Sequence, residues 1–277
     1  MVRMATVFLS GAAVLAVSAY QTAYQTEIAR WRHDRETRLQ ADNGWLTVAG
    51  LFWLHAGANS FGKDPASEIA LPDGPAHAGV FTFDGHRVTV AMNGTTREVT
   101  PDSPTDAVKV GRLNLFVIKR SDRYGIRLKD PESQYRREFH GLDYFPASEA
   151  WRVTARWVAA PKTIPVLNVL GQTEPSECPG FAEFELGGKH LRLYPILEEP
   201  DAKQLFYIFR DETAGKETYG AGRFLYSDLP RDGRVVLDFN KAYNPPCSFT
   251  PYATCPLPPP ENRLAVRIEA GEKKYGH

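Results

Sequence analysis

From Trp45 onward the chain is cut into short apolar runs, WLTVAGLFWL, GVFTF, RVTVAM, LNLFVIKR and YGIRLKD, separated by the turn pairs Asp73-Gly74, Asp84-Gly85 and Asn93-Gly94. Such runs are too short for stable helices and read as strands. A second series, PGFAEFELGG, KHLRLYPI, KQLFYIFRD, TYGAGRFLY and GRVVLDFN, follows the polar, proline-containing stretch after Pro161. The fold class is therefore mostly β. It comprises an N-terminal helix over 20–44, a β-sandwich over 45–160, and a second antiparallel β meander or small barrel over 161–277. The 22 glycines and 21 prolines supply the turns this requires, and 12% aromatic residues supply a packed core. Asn93-Gly94-Thr95 matches a glycosylation sequon, but Asn-Gly between strands reads as a hairpin turn.

Ahead of the strands, Glu27 to Gln40 is built of good helix formers and sets Ile28, Trp31, Arg35 and Leu39 near one face. Residues 1–19 have the form of a signal leader: Arg3, an apolar stretch from Ala5 to Ala19, and small residues at Val17-Ser18-Ala19. The expected location is thus exported or periplasmic. The alternatives are a misassigned start on a cytoplasmic protein or an N-terminal membrane anchor. The apolar stretch is shorter than the roughly 20 residues that span a bilayer, so no stable membrane insertion is expected. Lys plus Arg equal Asp plus Glu at 33 each, which argues against nucleic acid as a partner. Oligomeric state is left open.

Three cysteines, Cys178, Cys247 and Cys255, leave one unpaired if two bridge, and Cys247 to Cys255 is the better pair. No zinc-ligand spacing occurs, so no metal is expected, and the cofactor is left open. Nucleophilic Cys247 would need a nearby base, and the nearest upstream histidine is His190. His77 and His86 flank one strand and read as solvated loop histidines. Nucleophile-elbow, zincin, Walker and EF-hand patterns are all missing from the sequence.

The candidate site lies in DFNKAYNPPCSFTPYATCPLPPPENR, Asp238 to Arg263. Seven prolines fall between Pro245 and Pro260, each fixing φ and removing a donor, while Tyr243, Phe249 and Tyr252 supply aromatic bodies. The loop is expected to be ordered, with Asp238, Asn240, Asn244, Asn262 and Arg263 held in fixed geometry. Arg223, on the strand before it, has a donor fork suited to an anion. An ion pair from Arg223 to Asp211 or Asp238 is the structural alternative. The expected ligand-binding residues are Arg223, Asp238, Asn240, Tyr243, Asn244 and Cys247, with walls from Phe249 and Tyr252, and the expected partner is a small polar or anionic molecule. Two other functions fit the residues. One is a hydrolase or lyase with Asp211 or Asp238 as base beside Arg223. The other is a structural or assembly partner using the front sandwich.

Two resemblances follow from these motifs. Gly57-x-Asn59-x-Phe61-Gly62, with EIALP and PAHAGVFTF after it, resembles the forkhead-associated sandwich. That family's phosphothreonine-reading residues are only partly present: Asn93-Gly94 remains, but Gly62-Lys63 replaces a Gly-Arg pair and His77 lacks its spaced serine. The resemblance implies a sandwich and no phosphopeptide. More extensively, GWLTVAGLFWLHAGANSFG, DETAGKETYGAGRFLY, LDFNKAYNPPCSFTPYATCPLPPPENRL and AGEK (Ala270 to Lys273) resemble the family known as domain of unknown function 1684, over Ile28 to Lys273. That resemblance implies fold boundaries rather than a mechanism. It points to Arg223, Asp238, Asn240, Tyr243, Asn244 and Cys247 as the positions to test.

Overall fold

The computed structural model describes the backbone of residues 11–276 and the side chains of residues 23–276. The first part of the expected leader, residues 1–10, lies outside the described residues.

Helix α1 runs Gly11–Gln40. Ile28 and Leu39 are each 1% exposed, and Arg35 is buried between them, so the face expected from spacing is the docked one. None of the helices among the described residues is long and apolar enough to cross a membrane.

The first strand series makes β1 (Val48–Trp53), β2 (Gly57–Gly62), β3 (Ile69–Ala70), β4 (Gly79–Phe83), β5 (Val88–Met92), β6 (Thr95–Val99), β7 (Val108–Val110), β8 (Leu113–Arg120) and β9 (Arg123–Lys129). They form a five-stranded sheet, β3-β2-β4-β5-β6, and a four-stranded sheet, β1-β9-β8-β7. Phe61, Phe81 and Val90 of one sheet and Leu115, Ile126 and Leu128 of the other share one core. Alternation along each strand turns these residues inward, which gives the expected sandwich. Asn93 and Gly94 both take positive φ, 51° and 75°, and close the β5–β6 hairpin at Met92 and Thr95. Two left-handed residues in succession match the right-handed strand twist of a two-residue hairpin.

The second series makes β10 (Arg152–Leu167), β11 (Thr173–Leu186), β12 (Lys189–Leu193), β13 (Gln204–Phe209), β14 (Arg223–Asp228) and β15 (Arg234–Asp238). The sheet order is β12-β11-β10-β15, with β13 and β14 as a separate hairpin. Of the two expected forms, it is the open antiparallel arrangement that is found, without a closed barrel among the described residues. Tyr207, Leu225, Val235, Leu237 and Phe239 pack between sheet and hairpin. The expected boundary at residue 160 falls inside β10, whose partners β11 and β15 both lie C-terminal to it. There the register slips between Ala159 and Lys162. Pro161 and Pro179 meet at that bulge, where neither can donate to the ladder.

Candidate functional site

A cleft of about 1110 Å³ opens between α1, the outer face of β10 and β15, the β13–β14 hairpin and the proline-rich loop. Strand register builds its wall. Arg152 pairs with Asp238 and Thr154 with Val236, and all four line the cleft. The intervening Val153 and Leu237 turn toward the core. The floor is aromatic. Phe206 stacks on Tyr226 at 4.9 Å, Tyr226 lies parallel to Tyr243 at 6.3 Å, and Phe224 meets both Phe206 and Tyr243 edge-on. Leu229 and Val236, at 43% and 41% exposed, leave apolar surface open at the same place.

The cleft carries a positive surplus. Seven cationic side chains line it against three carboxylates, Glu198, Asp228 and Asp238. Arg35, Arg120 and Lys241 are already paired, with Glu272, Asp102 and Glu27 respectively. Arg38, Arg152, Arg231 and Arg234 form no ion pair among the described residues. Burial pushes the Tyr226 and Tyr243 hydroxyls above the usual phenol range, so both remain neutral donors. Asp238 Oδ2 has no hydrogen-bond partner among the described residues, and its nearest cation is Lys241 Nζ at 3.9 Å.

Of the residues expected from the sequence, Asp238 and Tyr243 reach this cleft; Arg223, Asn240, Asn244 and Cys247 do not. Arg223 is a correction. It is 1% exposed, with Nη2 bonded to Asp211 at 2.5 Å and to the Ile268 carbonyl at 3.0 Å, and Nη1 bonded to the Ala270 carbonyl. Both of its terminal nitrogens are engaged inside the protein and the side chain is buried, which makes it a staple between β14 and the C-terminal segment, not a clamp for a ligand. The Asp211 base beside Arg223 goes with it, because that pair is sealed from solvent. Phe249 is also corrected, since it packs with Leu39 and Leu46. Tyr252 lies edge-on to Tyr135 instead of walling the cleft. Cys247 and Cys255, the better pair if two cysteines bridge, are free thiols in this structure, as is Cys178. The two residues do adjoin, with the Cys247 amide donating to Cys255 Sγ at 3.2 Å. A hydrogen bond from Cys255 holds the Cys247 thiol below its ordinary range.

The remaining motif residues hold α1. Tyr24 donates to Asp238 Oδ1 at 2.9 Å, and Asn240 Nδ2 donates to the Tyr24 oxygen at 2.8 Å. Farther along the helix, Arg35 Nε donates to Glu272 Oε1 at 2.8 Å and Nη2 to the Asn244 carbonyl at 3.0 Å. The guanidinium also lies 4.6 Å over the Tyr243 ring. Gly271, at φ +76°, lets this segment pass so close that a Cβ would collide with the Phe239 and Ala242 carbonyls. The C-terminal motif is thus a cradle for the helix, and the helix in turn contributes Trp31, Arg38 and Leu39 to the cleft.

Sequence reasoning missed Arg38, Arg152, Arg234, Phe206 and Tyr226. The signal existed for two of them: alternation in WRVTARWV and GRVVLDFN sets Arg152 with Thr154, and Arg234 with Val236 and Asp238. It could not show that these strands pair across some eighty positions.

Comparison with known proteins adds a family. The family model described as protein of unknown function (DUF1684) matches residues 137–273. Among solved structures, the solution NMR structure of an uncharacterized protein of Haloarcula marismortui is 32% identical, over 50% of this chain and 78% of that chain, with a TM-score of 0.43. No curated protein matches.

Proposed function

We propose, for a chain that belongs to the family of proteins of unknown function 1684, that the cleft beneath α1 binds a small anionic molecule with an aromatic or apolar body. The observation that carries this reading is the composition of the cleft: a floor of four contacting rings beneath a rim on which Arg38, Arg152, Arg231 and Arg234 form no ion pair among the described residues and cations outnumber carboxylates seven to three. Pockets for small molecules combine apolar walls with a few convergent polar groups, and the volume suits a ligand of ordinary metabolite size. The rim cations steer and orient the anion, and the rings bury its body. Asp238 Oδ2 and the Tyr243 hydroxyl can satisfy a hydroxyl or amine on the same molecule.

Isothermal titration of the full chain tests this with three probes of one shape: phenylacetate, phenyl phosphate and neutral benzyl alcohol. Binding of an anionic probe that weakens as salt rises supports the reading. Equal affinity for all three probes, or none for any, rejects it.

A further inference from the structure

At the end of the cleft nearest the sandwich, two guanidinium groups converge on one hydroxyl. Arg120 Nε donates to Thr254 Oγ1 at 2.9 Å, and Arg127 Nη2 donates to the same oxygen at 3.3 Å. A hydroxyl oxygen accepts two such bonds with its lone pairs and keeps one proton to give. That proton has no acceptor among the described residues. Two cations drawing on the oxygen make the remaining O–H a stronger donor than an isolated threonine.

The charge behind it is only partly neutralised. Arg120 shares its charge with Asp102 at 2.9 Å. Arg127 is 8% exposed and lies 5.1 Å over the Trp45 ring. It has no carboxylate in ion-pair range among the described residues, and its Nε has no hydrogen-bond partner. Burial pushes the Arg127 guanidinium down to about 10, which still leaves it charged at neutral pH. Buried cations are ordinarily paired, so an unpaired one behind a polarised hydroxyl is the arrangement of an anion site. Trp45, Arg120, Thr254 and Cys255 all line the cleft, which puts this donor within reach of whatever the cleft holds.

We propose that Thr254, backed by Arg120 and Arg127, forms an oxyanion subsite that donates to a carboxylate or phosphate oxygen of the ligand, with the Trp45 ring beside it. The proposal rests on the reading of the cleft as an anion site and adds where the anionic group sits. Arg120 and Arg127 act through Thr254, so the hydroxyl is the group to remove.

The test compares phenyl phosphate, phenylacetate and benzyl alcohol binding to wild type, Thr254→Val and Thr254→Ser. The valine variant keeps the shape without the hydroxyl. It is expected to weaken at least one anionic probe by about tenfold or more and to leave benzyl alcohol within about twofold, while serine retains wild-type affinity. The anion that loses more identifies the preferred group. Undiminished anion affinity in Thr254→Val overturns the subsite while the cleft reading stands. Wild-type protein gives a readout that no folding defect can confound: the Trp45 indole N–H signal in a nitrogen-15 spectrum should shift on adding phenyl phosphate. A silent Trp45 while other cleft signals move overturns the subsite alone; if no cleft signal moves with any anion, both the subsite and the cleft reading fall.

Discussion

Arg35 of the N-terminal helix and Glu272 of the C-terminal segment, 237 positions apart in sequence, meet at 2.8 Å with side chains 10% and 0% exposed. The second Glu272 oxygen takes the Asn244 amide at 2.8 Å, and Arg35 also reaches the Asn244 carbonyl. Helix, proline-rich loop and C-terminal segment are therefore joined at one buried point, and the cleft wall depends on that junction.

Removing one partner should leave the other buried without its counter-charge. Glu272→Gln or Arg35→Met is accordingly expected to destabilise the protein by about 3–5 kcal/mol, read by chemical denaturation. A loss under about 1 kcal/mol would mean that the helix is held by its apolar face alone.

Arg223 and Asp211 form the second sealed pair. Arg223→Met strands Asp211, 7% exposed, and should also cost about 3–5 kcal/mol, whereas replacing both residues by apolar side chains should recover much of that loss. A stable Arg223→Met protein with impaired ligand binding would restore Arg223 as a ligand clamp.

The exposed cations behave oppositely. Arg152 and Arg234 are exposed, so charge reversal at either should cost no more than about 1 kcal/mol, the larger share at Arg152, which faces Asp238 across the ladder. Binding of an anionic aromatic probe should weaken and lose part of its salt dependence. Unchanged affinity in the Arg152→Glu, Arg234→Glu double variant would count against the rim.

Thiol chemistry offers a pH-dependent test. The Cys255 hydrogen bond stabilises the Cys247 thiolate and lowers its pKa, whereas Cys255 and Cys178 are raised. A lowered thiol pKa shifts the rise of the alkylation rate to lower pH. Iodoacetamide at neutral pH should therefore label half-buried Cys247 first, with the other two labelled only on unfolding, as followed by peptide mass spectrometry. Equal labelling of all three in the folded protein would contradict this arrangement.

The strands were legible because turn pairs and alternation are local signals, and Asn93-Gly94 shows both in one hairpin. The helix face was legible for the same reason, since Ile28, Arg35 and Leu39 repeat at helical spacing. The site was less so. Asp238 to Arg263 is legible as an ordered loop, but its polar residues could serve a ligand or the backbone, and composition does not separate the two. Asn240 and Asn244 serve α1 and its neighbours; Arg223, whose sequence context fits an anion clamp and an ion pair alike, takes the pair, with Asp211 twelve positions earlier on the adjoining loop. The cleft itself arises where α1 crosses strands more than a hundred residues away, a relationship that no local pattern encodes.

The most direct measurement of the central claim is a nitrogen-15 NMR titration of the full chain with phenyl phosphate, followed at the five tryptophan indoles. Only Trp31 and Trp45 line the cleft. The account predicts saturable shifts of these two, with Trp53, Trp151 and Trp157 unmoved. Shifts confined to the other three, or none at saturating probe, would contradict it.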